Sequence, residues 1–359
     1  MSSMSTLPDN QTCVVYAASI GHSVWFSRNL GENWQRANTN SGGIYNESRA
    51  WCLSVHPDRP GEVIVGTDDG VYRWVEIDKR WNYVPSPMDG LHILKIAQAD
   101  HDPDFIIAGT RPAGLFRSKN NGRSWDMLDL PGSVEAPFIN THRVTSIKFD
   151  PKHEDMIWVT IEIDGLWRSG DGGDTWDHIG LDLPDEDTHN VEIVDFDSGD
   201  RSVLIATEAG LYRSKNNGRS FHHIPVPESV CPYHYYRCLR RRADKSGVMF
   251  LTVGDRPSGE DSIMLRSRDF GESWERVDLP GNQVTTIWDM GVNAADPMII
   301  FAISIFGEVY RSPDGGEVWE KMDNHLGEAR EIIWAPVPTA MLGEQQKAWG
   351  TVEEFLGPD

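Results

Sequence analysis

The chain has 359 residues, 39% hydrophobic and 25% charged, a composition typical of a globular protein with a large core. Its 33 Lys and Arg stand against 55 Asp and Glu, and the formal net charge of −22 disfavours binding to nucleic acids or anionic membranes. The sequence shows no secretory leader and no apolar run of about 18 residues, so we expect a cytoplasmic protein that has neither a nucleic acid nor a membrane as partner.

An internal repeat dominates the rest of the sequence. Seven segments align, among them "LFRSKNNGRSW", "LWRSGDGGDTW" and "VYRSPDGGEVW", and their shared position is held by Ser27, Trp74, Ser118, Ser169, Ser214, Ser267 and Ser312. This position recurs after 47, 44, 51, 45, 53 and 45 residues. A period near fifty is typical of the four-stranded blade of a β-propeller.

Six of the seven copies carry the motif Ser-x-Asx-x-Gly-x-x-aromatic, as in "SGDGGDTW" at 169–176. The second copy has lost the motif and keeps its flanking strand and Trp81. The motif resembles the Asp-box of the BNR-repeat proteins, which include sialidases, xyloglucanases, sortilin-type receptors and photosystem assembly factors of the Ycf48 type. The resemblance implies an all-β, seven-bladed β-propeller in which the boxes are structural hairpins, because a short Asx side chain can bond turn amides and Gly supplies a positive φ.

The two ends of the chain predict how the ring closes. The sequence starts with what resembles the second strand of a blade, "CVVYAAS", and "EIIWAPVP" at 331–338 resembles an unmatched inner strand. We therefore expect both termini to complete one blade, which removes a bare sheet edge. The predicted organisation is a single domain over 1–359, with the propeller over 12–338 and a helix-compatible tail over 339–359.

Histidines recur just before the inner strands. Aligning the repeats there gives one column of residues, namely Ser48, His92, His142, His189, His234, Asn282 and Gly327. Four consecutive blades thus place histidine at one point, which predicts imidazoles gathered around the axis, with His325 as a further ligand. Neutral imidazoles suit a transition metal, so we expect one ion of iron, manganese, zinc or copper.

This column leads to a functional hypothesis. We expect a metal-dependent enzyme of the oxygenase or lyase type, whose mononuclear multi-histidine site transforms a small-molecule or sugar-like substrate. Arg143, Glu192 and Tyr235 lie near the predicted ligands in the sequence alignment, and we predict that they are catalytic.

Two alternatives remain open at this point. One is a metal-free glycoside hydrolase of the BNR type, which would use paired carboxylates such as Asp164 with Glu162 or Glu208 and would be insensitive to chelators. The other is a non-catalytic propeller that binds a protein partner.

Overall fold

The structure is a computed structural model that describes residues 7–36, 43–130, 142–196, 198–281, 283 and 285–342. Within these ranges the chain forms seven four-stranded antiparallel sheets, which confirms the predicted all-β seven-bladed propeller. The first strand of each sheet is innermost, because consecutive first strands contact one another around a closed ring.

The strands are given from the innermost to the outermost in each blade. Blade I contains β28 (Ala329–Pro338), β1 (Gln11–Ser19), β2 (Ser23–Ser27) and β3 (Gln35–Arg36). Blade II contains β4 (Ala50–Ser54), β5 (Glu62–Thr67), β6 (Val71–Val75) and β7 (Arg80–Val84). Blade III contains β8 (His92–Ala99), β9 (Asp102–Arg111), β10 (Leu115–Ser118) and β11 (Asp126–Leu128). Blade IV contains β12 (Val144–Phe149), β13 (Ile157–Ile161), β14 (Gly165–Ser169) and β15 (Asp177–Ile179).

The remaining three blades follow the same order. Blade V contains β16 (Thr188–Asp195), β17 (Arg201–Thr207), β18 (Gly210–Ser214) and β19 (His222–Ile224). Blade VI contains β20 (Tyr235–Arg241), β21 (Met249–Gly254), β22 (Ser262–Ser267) and β23 (Glu275–Val277). Blade VII contains β24 (Ile287–Gly291), β25 (Ile300–Ser304), β26 (Glu308–Ser312) and β27 (Glu320–His325).

The ends of the described chain meet in blade I. β28 pairs with β1 in an antiparallel register that runs from Gln11 opposite Pro338 to Ser19 opposite Ala329. The first described strand therefore lies between the last inner strand and β2, which confirms the predicted closure of the ring by both termini. After β28 the chain forms a short helix, α1 (Thr339–Leu342), and residues 343–359 of the predicted tail lie outside the described residues.

The Asp-boxes are hydrogen-bonded hairpins, as the motif predicts. In blade IV, Ser169 Oγ accepts a hydrogen bond from the Gly173 amide (2.8 Å) and donates one to Asp171 Oδ1 (2.8 Å). Asp171 Oδ1 in turn accepts from the Thr175 amide (2.9 Å), and Trp176 is buried against blade III. The serine-to-glycine bond recurs in all six boxes at 2.7–2.9 Å, so each box locks its own turn.

A column of arginines connects neighbouring blades. The residue before the shared repeat position is Arg73, Arg117, Arg168, Arg213, Arg266 or Arg311 in blades II to VII. Each guanidinium donates a hydrogen bond of 2.6–2.9 Å to a backbone carbonyl in the hairpin of the next blade. Arg311 in blade VII reaches the carbonyl of Leu30 in blade I and so completes the circuit.

The contact between blades I and II uses a different interaction. Blade I has Phe26 at the arginine position, and blade II has lost its box. Arg28, which lies over the Phe26 ring, instead forms a 2.7 Å ion pair with the buried carboxylate of Glu76 in the blade II hairpin. Glu76 also accepts a 2.6 Å hydrogen bond from Trp74 Nε1 and pairs with Lys79. A charged pair therefore replaces the missing arginine-to-carbonyl bond at this junction.

Within the ranges described above, no helix is long and apolar enough to span a membrane.

The arginine circuit can be tested at its closing bond. We expect Arg311→Met to lower the free energy of unfolding by about 1.5–3 kcal/mol, because the charge-assisted bond to the part-buried Leu30 carbonyl and the ion pair with the exposed Glu320 are lost while the aliphatic stem is kept. The exposed Arg276→Met is the control and should change it by less than about 0.5 kcal/mol. Denaturant titration measures both values, and equal destabilisation by the two variants would contradict the role of the circuit.

Candidate functional site at the upper mouth

All seven inner strands carry a β-bulge at the same level, close to where the strand begins. We call this end of the ring the upper end; the Asp-box hairpins lie at the opposite, lower end because alternate strands run antiparallel. The residues left out of register are Trp51, Leu94, Thr145, His189, Arg237, Trp288 and Arg330. A bulge re-aims its side chain, so these seven residues surround the upper mouth of the axial channel.

The bulges show why the predicted histidine column does not converge. His189 is at the bulge of its strand, whereas His92 precedes its bulged residue by two positions (94 − 92), and His142 and His234 precede theirs by three (145 − 142 and 237 − 234). His142 is buried, but His234 is exposed in the loop before β20, and His325 is exposed at the end of the outer strand β27. Among the described residues, no three His, Cys, Asp or Glu side chains form a group that could hold a metal ion.

His189 and His92 have other partners at the mouth. His189 Nδ1 lies 2.6 Å from the carbonyl of Tyr236, and its Nε2 lies 3.3 Å from Asp187 Oδ1. The carbonyl selects the tautomer with hydrogen on Nδ1 unless the ring is protonated. His92 stacks on Trp51 with 5.3 Å between ring centroids. Both rings are therefore held by local contacts.

Arginine and tryptophan alternate around half of the mouth. The Arg237 guanidinium lies 3.8 Å from the ring centroid of Trp288, and Arg330 lies 4.9 Å from Trp288 and 5.6 Å from Trp51. With His92 stacked on Trp51, the five side chains form one stack, which we call the Arg–Trp ladder. Stacking on aromatic faces fixes the planes of both guanidinium groups.

Several buried donors in the ladder have no hydrogen-bond acceptor among the residues that the structure describes. They are Arg237 Nε and Nη1, Arg330 Nε and Trp51 Nε1. Burial lowers the pKa of Arg330; the exposed Glu328 carboxylate, which pairs with it, acts in the opposite sense, and the charges of Arg237 and Arg143 lower the pKa further. A buried acceptor at the same mouth, Asp187 Oδ1, is likewise without a partner among the described residues. Buried polar groups are normally satisfied, so the mouth holds both donors and an acceptor that are available to a ligand.

Carboxylates face the ladder across the mouth, in blades IV and V. Glu162 pairs with Arg143, and its backbone forms a bridge with that of Asp187. Burial raises the pKa of Asp187, but the interaction with His189 and the charges of Arg143 and Arg237 outweigh it, so the net pKa is lowered. Glu208, at the β17–β18 turn, has a raised pKa because of desolvation and the negative charges of Asp187 and Asp185. The pKa values of the two neighbouring carboxyls are therefore shifted in opposite directions.

The predicted catalytic residues occupy two different levels of the ring. Tyr235 is buried at the mouth, 4.8 Å from the ring of His189, and packs in one cluster with Trp288. Burial raises the pKa of Tyr235, while the charges of Arg237 and Arg143 lower it, which places Arg143 at the same site. Glu192 instead lies lower in the axial channel. Their catalytic roles stay predictions.

The channel below the mouth is lined by ion pairs. They are Lys95–Glu331 (2.8 Å), Lys148–Glu192 (2.7 Å) and Arg240–Asp289 (2.7 Å). These side chains line a cavity of about 350 Å³ that also reaches the lower-end residues Ala243 and Val292. The charges of the three ion pairs balance, and Arg241 adds one further cation to the lining of the cavity. We assign the chemistry to the mouth and a structural role to this belt of ion pairs.

Sequence reasoning missed Asp187 and the two tryptophans of the ladder. A signal for the two tryptophans is present in the sequence. In "RAWCLS", "YYRCLR", "TIWDMG" and "EAREII" a large residue, Trp or Arg, comes directly before Cys, Asp or Glu in the inner strand. Alignment at the bulge, rather than at the strand entry, would have brought Trp51, Arg237, Trp288 and Arg330 into one column.

Comparison with known proteins adds the following findings. No family model matches the chain. A xyloglucanase from Paenibacillus sp is 21% identical over 347 residues, which cover 80% of this chain and 32% of that protein. The photosystem II stability/assembly factor HCF136 of Oryza sativa subsp. japonica is 25% identical over 207 residues, covering 54% of this chain and 46% of that one. The solved structure of YCF48 bound to a D1 peptide has a TM-score of 0.60 at 14% identity and covers 85% of this chain and 94% of the other, a likeness that shows the fold alone.

These findings correct the functional hypothesis. The chain spans about a third of the length of the curated xyloglucanases that it matches. These relatives are glycan-processing enzymes, and the described histidines form no ligand group, so the prediction of a metal-dependent oxygenase or lyase is wrong. The physical reason is the differing distance between strand entry and bulge, which separates the histidines.

The correction can be tested by metal analysis. We expect protein purified without a histidine tag, and then incubated with iron, manganese, zinc or copper, to retain no stoichiometric metal, because His92, His142, His189 and His234 do not converge. Plasma mass spectrometry after dialysis measures the metal content. A content of one ion per chain that is lost in a His142→Ala/His189→Ala double variant would contradict this correction and support a histidine-bound metal.

Proposed function

Because this chain is an Asp-box (BNR-repeat) seven-bladed β-propeller with xyloglucanases among its relatives, we propose that it is a metal-free glycoside hydrolase that acts at the upper mouth. The observation that carries the proposal is the pair Asp187 and Glu208 at the upper mouth, where the Glu208 amide donates a 3.0 Å hydrogen bond to the Asp187 carbonyl and the two carboxyls lie in different surroundings, which lower the pKa of Asp187 and raise that of Glu208. Glycoside hydrolysis uses two such groups, one protonated and one ionised.

The pKa directions assign the two roles. Glu208 keeps its proton to higher pH and is the general acid that protonates the oxygen of the leaving sugar. Asp187, whose pKa is lowered, is the base or nucleophile, and His189 Nε2 lies 3.3 Å from its Oδ1. Glu208 lies on the exposed β17–β18 turn, where a glycosidic oxygen can reach its carboxyl group.

The rest of the mouth supplies substrate contacts. Arg143 is held by Glu162 beside Asp187, and Tyr235 packs between His189 and Trp288. The donors of the Arg–Trp ladder suit the hydroxyl and carboxyl oxygens of a sugar, which accept hydrogen bonds. The substrate class that fits best is thus an oligosaccharide bound across blades IV to VII and I to II.

A second candidate function is the docking of a peptide. The chain covers 94% of the YCF48 chain, which was solved with a D1 peptide, and the Arg–Trp ladder gives the mouth a cationic wall. Arginine clusters of this kind bind acidic peptide segments. This function predicts a tight peptide complex and no turnover of glycans.

The roles of the carboxyl pair can be tested by substitution. Glu208→Gln and Asp187→Asn should each lower the turnover number on xyloglucan oligosaccharides by about 100-fold or more, because a positioned acid or base contributes at least that factor. Asp171→Asn, an exposed box residue at the lower end, is the matched control and should keep full activity. Reducing-end release measures the rate, and undiminished hydrolysis in both mouth variants would refute the assignment.

The same pair of carboxyls predicts how turnover depends on pH. Turnover should fall as the pH rises through the raised pKa of Glu208, since the acid then loses its proton. It should also fall as the pH drops through the lowered pKa of Asp187, since the base is then protonated. In Glu208→Gln the alkaline limb of the kcat/KM profile should disappear from the residual activity, and an unchanged alkaline limb would assign the acid to another group.

A further inference from the structure

We propose that the axial channel contains a second binding site, separate from the upper mouth, for the phosphate group of inorganic phosphate or of a small phosphate monoester. Its ligands are the side chains of Arg241, Lys148 and Ser146. This site goes beyond the proposed function, because none of the three residues belongs to the upper mouth and none takes part in the proposed hydrolysis.

Two adjoining cavities give the channel room for a ligand. One has a volume of about 350 Å³ and the other of about 230 Å³. Ile147, Lys148, Glu192 and Arg241 line both cavities, so the two spaces adjoin each other in the channel. Small-molecule sites in proteins have volumes of about 300–1,000 Å³, and the larger cavity falls within that range.

Two adjacent arginines of β20 lie in very different surroundings. Arg240 pairs with Asp289 at 2.7 Å and also donates hydrogen bonds to the carbonyls of Met290 and Leu239. The half-buried Arg241 lines both cavities, yet its side chain forms no ion pair or hydrogen bond with any residue that the structure describes. A charge withdrawn from water without a counterion is costly, and a bound anion would remove that cost. Arg240 is therefore part of the scaffold, whereas Arg241 is available to a ligand.

The inner strand β12 brings two further donors to the larger cavity. Lys148 Nζ lies 2.7 Å from Glu192, and an ammonium group has three hydrogens, so two remain for a ligand. Ser146 is only 3% exposed, and within the described part of the chain its hydroxyl has no hydrogen-bond partner. Ser146 directly follows the bulged residue of its strand, as Lys95 and Glu331 do, and all three line the cavity.

The carboxylates of the larger cavity are already neutralised. Glu192, Asp289 and Glu331 each pair with a cation of their own. Arg241 therefore leaves this cavity with one positive charge in excess. Asp100 lines the smaller cavity, but it is exposed on the β8–β9 turn, where solvent screens its repulsion of an anion.

The arrangement of the donors favours phosphate as the anion. A guanidinium from blade VI meets an ammonium and a hydroxyl from blade IV, so the donors come from different sides of the channel. Charge-assisted hydrogen bonds of this kind are the strong ones. A tetrahedral phosphate has oxygens that point in several directions and can accept from all three groups, whereas a planar carboxylate has only two oxygens.

Binding can be measured with inorganic phosphate and glycerol 3-phosphate as probes and glycerol as the uncharged control. Titration calorimetry in a phosphate-free buffer, with the ionic strength held constant by sodium chloride, gives the affinities. We expect both phosphates to bind and glycerol not to bind. Arg241→Gln should weaken binding of both phosphates at least about tenfold, because a hydrogen bond to a charged group contributes that factor or more.

Thermal unfolding separates loss of the ligand from damage to the fold. Phosphate should raise the Tm of the wild type, because it binds only the folded chain. Arg241→Gln should have the wild-type Tm without phosphate, since Arg241 makes no side-chain contact of these kinds with the described residues, and should lose the rise. Arg276→Gln is the matched control, because Arg276 is 58% exposed in β23, and it should keep both the affinity and the rise.

The possible outcomes differ clearly. A heat of binding and a Tm no different from those with sodium chloride alone would overturn the site, and so would unchanged phosphate affinity in Arg241→Gln. Tighter binding of glycerol 3-phosphate than of inorganic phosphate would support a monoester as the ligand, and the reverse order would support the free ion. Glu208→Gln should bind phosphate like the wild type, so the result is independent of hydrolysis at the upper mouth.

Discussion

The hydrogen bond from an arginine of each blade to a carbonyl of the next fixes the positions of the blades, and with them the position of the upper mouth. Packing of apolar residues between sheets is not directional, so it does not by itself fix the angle between blades. The arginine before each repeat position adds a directional bond to a carbonyl in the following hairpin, and Arg311 returns the series to Leu30. Where the blade II box is missing, Arg28 and Glu76 form an ion pair in its place. Seven blades held at repeated angles close a ring, and that ring places seven strand entries around one axis.

The function proposed above follows from a second repeated device, the bulge at one level of every inner strand. It turns one side chain per blade toward the mouth, so the fold provides the same position seven times and the sequence varies what stands there. Leu94 in blade III and Thr145 in blade IV make that position neutral, whereas Arg237, Trp288 and Arg330 make it cationic and aromatic on the other side. The Asp-boxes repeat at the lower end and maintain the hairpins. Repetition thus builds the scaffold, and divergence within one column makes the site.

How much could be predicted from the sequence depends on the range of the interactions involved. Each box is closed within eight residues, as from Ser169 to Trp176, so its pattern is visible in the sequence and the number of blades could be counted. Ring closure followed from the two unmatched strands at the ends. The bulge could not be seen, because it depends on pairing between strands, and an error of two or three positions at His92, His142 and His234 led to the prediction of a metal site that the described residues do not form. The arginine column was visible in six copies, but its acceptors lie about fifty residues further on, in the next blade.

The negative charge of the whole chain and the cations at the mouth act on a ligand in opposite senses. A net charge of −22 repels anions at long range, so an anionic ligand can bind only where local cations outweigh the field. The belt of three ion pairs in the channel is balanced and contributes little field of either sign. The cations of the ladder therefore act at the mouth itself, over distances shorter than the screening length of the solvent. The charges of Arg143 and Arg237 help to lower the pKa of Asp187, while burial and the charges of Asp187 and Asp185 raise that of Glu208, so the charges around the mouth separate the proposed acid from the proposed base.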